Sequence, residues 1–107
     1  MCTIIAGNKK GNIIIGRNFD WLQAGGKIHV LPSERKYGLQ TQRHVVIEQC
    51  GVDRPFNGVN DSGVFIGMTS LNAQVSESKN AVEFNGLGVM KFILERCKTA
   101  IEAVNLL

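Results

Sequence analysis

At 107 residues the chain is long enough for one small domain and too short for two. Hydrophobic residues make up 44% and charged residues 20%, which excludes a disordered chain. The net charge of +3 sits on scattered lysines and arginines and aromatics are only 7%, so nothing resembles the basic run of a nucleic-acid binder.

Taken from the N-terminus, Met1 precedes a small residue, the usual context for removal of the initiator. That removal would leave Cys2 with a thiol and a free amine on one Cα. Thr3-Ile4-Ile5-Ala6 is a β-branched run and reads as a strand. Gly7-Asn8-Lys9-Lys10-Gly11-Asn12 is a polar turn with glycine at both ends. Ile13-Ile14-Ile15-Gly16-Arg17-Asn18-Phe19-Asp20 is the returning strand. Continuous isoleucines predict a hairpin covered on both faces. Antiparallel pairing brings the start of the first strand beside the end of the second, so Cys2 lies near Arg17 and Asp20.

Gln23-Ala24-Gly25-Gly26 reads as a turn and Lys27 to Leu31 as an alternating strand, ended by Pro32-Ser33. Glu34 to Gln42 is polar and reads as a loop. Arg43 to Gly51 is a strand, Arg54-Pro55-Phe56-Asn57-Gly58 a turn, and Asp61-Ser62-Gly63 a tight turn. Val64 to Leu71 is the next strand, and Ala73 to Glu83 a polar, exposed stretch. Asn60-Asp61-Ser62 fits a glycosylation acceptor by chance.

From Leu87 the period lengthens from two to about three and a half. Val89, Phe92, Ile93 and Cys97 share a face, with Met90 and Leu94 beside it. Lys91, Glu95, Arg96 and Lys98 make the wet face. Thr99-Ala100-Ile101-Glu102 has the form of a capping box opening a second helix, Ile101 to Leu107. That helix stops in an uncapped apolar pattern, which predicts a piece of a longer domain. Strands first and helices after predict an α+β fold, an antiparallel sheet with both helices on one face.

The three cysteines, Cys2, Cys50 and Cys97, are odd in number and form no CxxC pair. A disulfide framework and a metal site are not expected, nor is any cofactor. Reduced thiols, no signal sequence and no apolar run of membrane-spanning length predict a cytoplasmic protein without a membrane partner. Cys50 and Cys97 read as buried thiols, and the isolated His29 and His44 as solvated or core residues. Gly86-Leu87-Gly88 before a helix is a weak hint of an anion site, lacking a third glycine and a preceding strand.

The chemistry concentrates at the hairpin. An N-terminal cysteine has an amine with pKa of about 7.7–8.0 and a thiol of about 8.5, so the amine can take the thiol proton and return it to a leaving group. Arg17 would favour the thiolate and Asp20 would hold the amine. The competing readings are a core cysteine and a surface ion pair. Phe19, Trp21 and Leu22 would line an acyl pocket or serve as core.

Cys2 behind Met1, followed by Gly16-Arg17-Asn18-Phe19-Asp20-Trp21, resembles the N-terminal nucleophile (Ntn) hydrolases of the choloylglycine hydrolase and penicillin V acylase superfamily. The acyl-CoA:isopenicillin N acyltransferase-like proteins belong to the same superfamily. Gly58-Val59-Asn60-Asp61-Ser62-Gly63-Val64 with Met68-Thr69-Ser70-Leu71 is similar to the second block of that superfamily, and the helices around Thr99-Ala100-Ile101-Glu102-Ala103 to the segment after it. The likeness covers nearly all of this chain but only the N-terminal part of a family domain. It implies a single incomplete domain over 1–107, strands over about 2–71 and helices over about 87–107, as part of a four-layer αββα sandwich. It implies Cys2 as nucleophile, with Arg17 and Asp20 beside it. The family places an oxyanion-hole Asn in the second block. Here the neighbourhood reads Met68-Thr69-Ser70, leaving Thr69 or Ser70 as donor.

The implied activity is an amidase cleaving linear, non-peptide C–N bonds through an acyl-thioester, with hydrolysis or transfer to another amine. The substrate would be a small acyl amide of the penicillin V, conjugated bile salt or N-acyl amide type. The alternative is a non-catalytic, truncated or degenerate homologue that assembles with a missing remainder or partner chain, either way as an oligomer or an incomplete domain.

Overall fold

Two consecutive left-handed residues make the first turn. Lys10 (φ 54°) and Gly11 (φ 82°) join β1 (Thr3–Lys9) to β2 (Asn12–Asn18) in a two-residue hairpin, the arrangement whose twist matches that of the strands. Asn8 supports it by accepting the Gly11 N–H at 3.1 Å. The turn is tighter than the sequence predicts because Gly7 pairs with Ile14 and Asn8 with Ile13. These positions come from a computed structural model that describes residues 2–20, 25–49, 55–69 and 85–107.

A four-stranded antiparallel sheet follows, built from β3 (Gly26–Leu31), β6 (His44–Gln49), β7 (Pro55–Asn60) and β8 (Phe65–Gly67) in the order β3-β6-β7-β8. The stretch expected to be a loop instead forms a small hairpin, β4 (Arg35–Lys36) and β5 (Leu39–Gln40), turned at Tyr37 (φ 52°) and Gly38 (φ 78°). A bulge between Ile47 and Glu48 displaces the register of β6 on β7 at its far end.

The fold is α+β, with α1 (Gly86–Arg96) laid on one side of this sheet. The approach is close. A Cβ on Gly58 would stand 2.7 Å from Leu94 Cδ1 and 2.7 Å from the Val45 carbonyl oxygen, so only glycine fits. Ile93, Leu94 and Met90 from the helix and Val46 and Val64 from the sheet side are buried. The three helix residues are among those whose period the sequence displays. Glu95, expected on the wet face, is buried. Its carboxylate holds Lys36 Nζ at 3.1 Å, pinning the β4–β5 hairpin to the helix.

Helix α1 ends at a knot of polar contacts. Asn60 Nδ2 donates to the carbonyls of Leu94 (3.1 Å) and Cys97 (2.8 Å), while its Oδ1 accepts from Ser62 and Val64 N–H. Gln42 Nε2 donates to the Cys97 carbonyl at 2.6 Å. The carbonyls that any helix end leaves without a partner are thus taken by side chains from the sheet. Helix α2 (Ala100–Leu106) starts one residue before the Ile101 the sequence predicts, with Thr99 at the cap as expected, accepting from Glu102 N–H at 3.1 Å. The return contact differs from a capping box: Glu102 accepts from Lys98 N–H at 2.6 Å, one residue before the cap. Ile101 and Val104 of α2 are exposed.

The other side of the sheet is open over β3. Gly58 faces the helix, so its partners Val46 and Ile66 do too, and Val45, Ile47, Asn57, Val59, Phe65 and Gly67 face away. Ile28 and Val30 of β3 share that outward side and are 72% and 66% exposed. Nor is the first hairpin covered on both faces: Ile5 and Ile14 are 67% and 71% exposed, since no described layer lies over them.

Candidate functional site

The hairpin register sets out the site. Thr3 pairs with Asn18 and Ile4 with Arg17, and continuing one step places Cys2 opposite Phe19. Opposed residues share a face and faces alternate along a strand. Cys2, Ile4, Arg17 and Phe19 therefore lie on one face, and all four are half-buried. Thr3 and Asn18, on the opposite face, are exposed.

That half-buried face meets the end of the four-stranded sheet at three points. Ile4 lies over Gly67, where a Cβ would be 3.0 Å from Ile4 Cδ1. The Phe19 and Phe56 rings meet edge to face at 5.5 Å, a favoured aromatic geometry. Arg17 donates from Nη1 to the Phe56 carbonyl (3.0 Å) and from Nη2 to the Met68 carbonyl (2.5 Å), with its guanidinium 5.0 Å over the Phe19 ring. Its Nε is buried, with no partner among the described residues. Spacing alone puts Arg17 beside the thiol; the structure adds a second task, holding two strands of the sheet against the hairpin. Among the described residues no carboxylate pairs with it, so its charge is balanced by carbonyl dipoles and a ring face.

Asp20 is exposed and accepts from Asn18 Nδ2 at 3.3 Å. Asn18 Oδ1 in turn accepts the Thr3 N–H at 2.7 Å. One amide thus links the peptide that follows Cys2 to the Asp20 carboxylate. Asn18 stands inside the motif that singles out its neighbours, but spacing gives it no role. Thr69 is exposed and follows directly on Met68, whose carbonyl Arg17 holds. Trp21, Leu22 and Ser70 lie outside the described residues, as does Cys50.

The remaining polar groups serve the fold. Asn85 accepts the Gly88 N–H at 2.7 Å and so occupies the helix start at which an anion site was hinted. His44 is buried, its Nδ1 2.8 Å from the Gln42 carbonyl, and His29 Nε2 lies 2.9 Å from Glu48 Oε2. Asn60 is buried with its amide engaged, which removes it as a glycosylation acceptor. Cys97 is a buried free thiol, its pKa pushed up by burial and further by Glu102. Hydrogen bonds that Lys36 donates to Glu95 and then to Glu34 hold it in its charged form to higher pH than usual. Among the described residues no cluster of His, Cys, Asp or Glu is suited to a metal ion, and no helix is long and apolar enough to cross a membrane.

No family model, no curated protein and no solved structure matches this chain.

Proposed function

We propose that the chain is the N-terminal portion of an Ntn-type αββα amidase in which Cys2 attacks a small, linear acyl amide. The observation that carries this reading is the shared face of Cys2, Arg17 and Phe19 at the hairpin end. It combines a half-buried free thiol, a cation with no carboxylate partner among the described residues, and an aromatic wall. With Met1 removed, the Cys2 amine accepts the thiol proton. The thiolate adds to the amide carbon, the C–N bond breaks as the amine returns the proton to the leaving nitrogen, and water or another amine then releases the acyl group from sulfur. Arg17 fixes the hairpin face that carries the thiol against the sheet, Asp20 steadies the amine, and Phe19 offers apolar surface to the acyl chain.

Hydrolysis of acetyl, octanoyl and phenylacetyl 4-nitroanilides tests the mechanism, with intact mass showing whether Met1 has been removed. Cys2→Ala is expected to lose turnover by at least about a thousandfold. Equal turnover by wild type and variant rules out Cys2 as the nucleophile.

A second reading, assembly without catalysis, is favoured by the open apolar faces carrying Ile5, Ile14, Ile28 and Val30. It predicts a chain that binds a partner with Cys2 intact or replaced.

A further inference from the structure

Asn18 is a strand residue whose side chain bridges rather than packs. Asparagine is depleted in strands, yet Asn18 closes β2. Its Oδ1 accepts the Thr3 N–H at 2.7 Å and its Nδ2 donates to Asp20 Oδ1 at 3.3 Å. Neither bond joins the hairpin to the four-stranded sheet; that docking falls to Ile4, Arg17 and Phe19 on the opposite face. Asn18, Thr3 and Asp20 are all exposed, and hydrogen bonds that water can replace add little to a fold. The fold alone gives no reason for this bridge.

Its two ends do. The Thr3 nitrogen is joined to the Cys2 Cα through a single carbonyl carbon, so holding the Thr3 N–H fixes the Cys2 backbone. Asp20 follows Phe19, the residue that the register places opposite Cys2. A primary amide is planar and carries its acceptor and its donor on one carbon, so the direction of one bond sets that of the other. Asn18 thus places the Asp20 carboxylate by reference to the backbone of Cys2.

We propose that Asn18 is a positioning residue of the Cys2 site, its amide holding the Asp20 carboxylate in register with the Cys2 amine that is freed when Met1 leaves. This rests on the amidase reading above. In each turnover the amine takes the thiol proton, stands as an ammonium while sulfur adds to the carbonyl carbon, and gives the proton to the leaving nitrogen as the C–N bond breaks. A carboxylate already in place meets that charge without reorganising, and it keeps the ammonium aimed along one direction relative to sulfur. Without Asn18 the carboxylate loses its reference to the Cys2 backbone.

The test compares wild type with Asn18→Ala, Asn18→Asp, Asp20→Ala and the Asn18→Ala, Asp20→Ala double variant in the full chain. Intact mass selects preparations with Met1 removed. The readouts are kcat and KM on the acyl nitroanilides and the thermal midpoint. Asn18→Ala is expected to lower kcat by about ten- to a hundredfold, the scale of a misplaced catalytic group, with KM within about threefold of wild type. Its midpoint should stay within about 3 °C, since only exposed hydrogen bonds are lost. In Asn18→Asp the oxygen that accepts from Thr3 remains, while the donor to Asp20 becomes an oxygen of like charge, so kcat should fall at least as far. The double variant should be no slower than Asp20→Ala, because a residue that acts through Asp20 has nothing to position once the carboxylate is gone. Wild-type kcat in Asn18→Ala or in Asn18→Asp, beside turnover that depends on Cys2, overturns the role of Asn18 and leaves the amidase reading standing. Losses that multiply in the double variant overturn it too, as does a fall in midpoint with a matching rise in KM, the mark of a structural residue. Turnover that survives Cys2→Ala, or none at all, overturns both readings.

Discussion

At Asn60 a single side chain meets four backbone groups, two carbonyls at the end of α1 and two N–H groups in the turn after β7. Leaving a buried backbone group unpaired costs about 1–3 kcal/mol, and Asn60→Ala frees several at once. Its expected cost is on the order of 3 kcal/mol, measured as a lower urea midpoint with unchanged slope. A loss under about 0.5 kcal/mol would show that water replaces the amide without penalty. Nothing near Asn60 in sequence announces this, since its acceptors Leu94 and Cys97 lie 34 and 37 residues on. Glu95 departs from its period for the same reason: helical period assigns it to the wet face, and only the fold supplies Lys36. Period did identify Ile93, Leu94, Met90 and Cys97, because burial against one sheet imposes it.

Among the elements, the β1–β2 hairpin is the one most readable in advance. Isoleucine runs on either side of a glycine-bounded turn admit few alternatives, and its pairing puts Arg17 and Phe19 beside the N-terminal cysteine. How it docks was not readable, because the Arg17 acceptors are backbone carbonyls that carry no residue signature. The β4–β5 hairpin escaped because two-residue strands show no alternation. Docking through Arg17 makes a prediction. A lysine cannot fork to two carbonyls as a guanidinium does, so Arg17→Lys should cost about 2 kcal/mol, the range for hydrogen bonds to charged groups. Native-state hydrogen exchange should show the Ile5 and Gly16 amides, a hydrogen-bonded pair of the hairpin, losing protection before those of Val46 and Gly58. Equal loss across both sheets would mean that the clamp is not what joins them.

For the molecule as a whole, apolar surface is the issue. Ile5 and Ile14 on the hairpin and Ile28 and Val30 on β3 form two outward apolar faces, and contiguous patches of this kind drive association. The 107-residue chain is expected to sediment as an oligomer at micromolar concentration, and Ile14→Lys combined with Ile28→Lys to shift it towards monomer. A monomer with one sharp thermal transition would refute this. The Asn60 knot also bears on the order of folding. The last turn of α1 finds its acceptors' partners only after the chain has closed a loop of 34 to 37 residues, an entropic cost that local helix formation never meets. Terminating the helix is therefore a late, non-local event. In a nascent or partly unfolded chain the carbonyls of Leu94 and Cys97 therefore lack their Asn60 partner, and only the local contacts of Thr99 and Glu102 mark the boundary between α1 and α2.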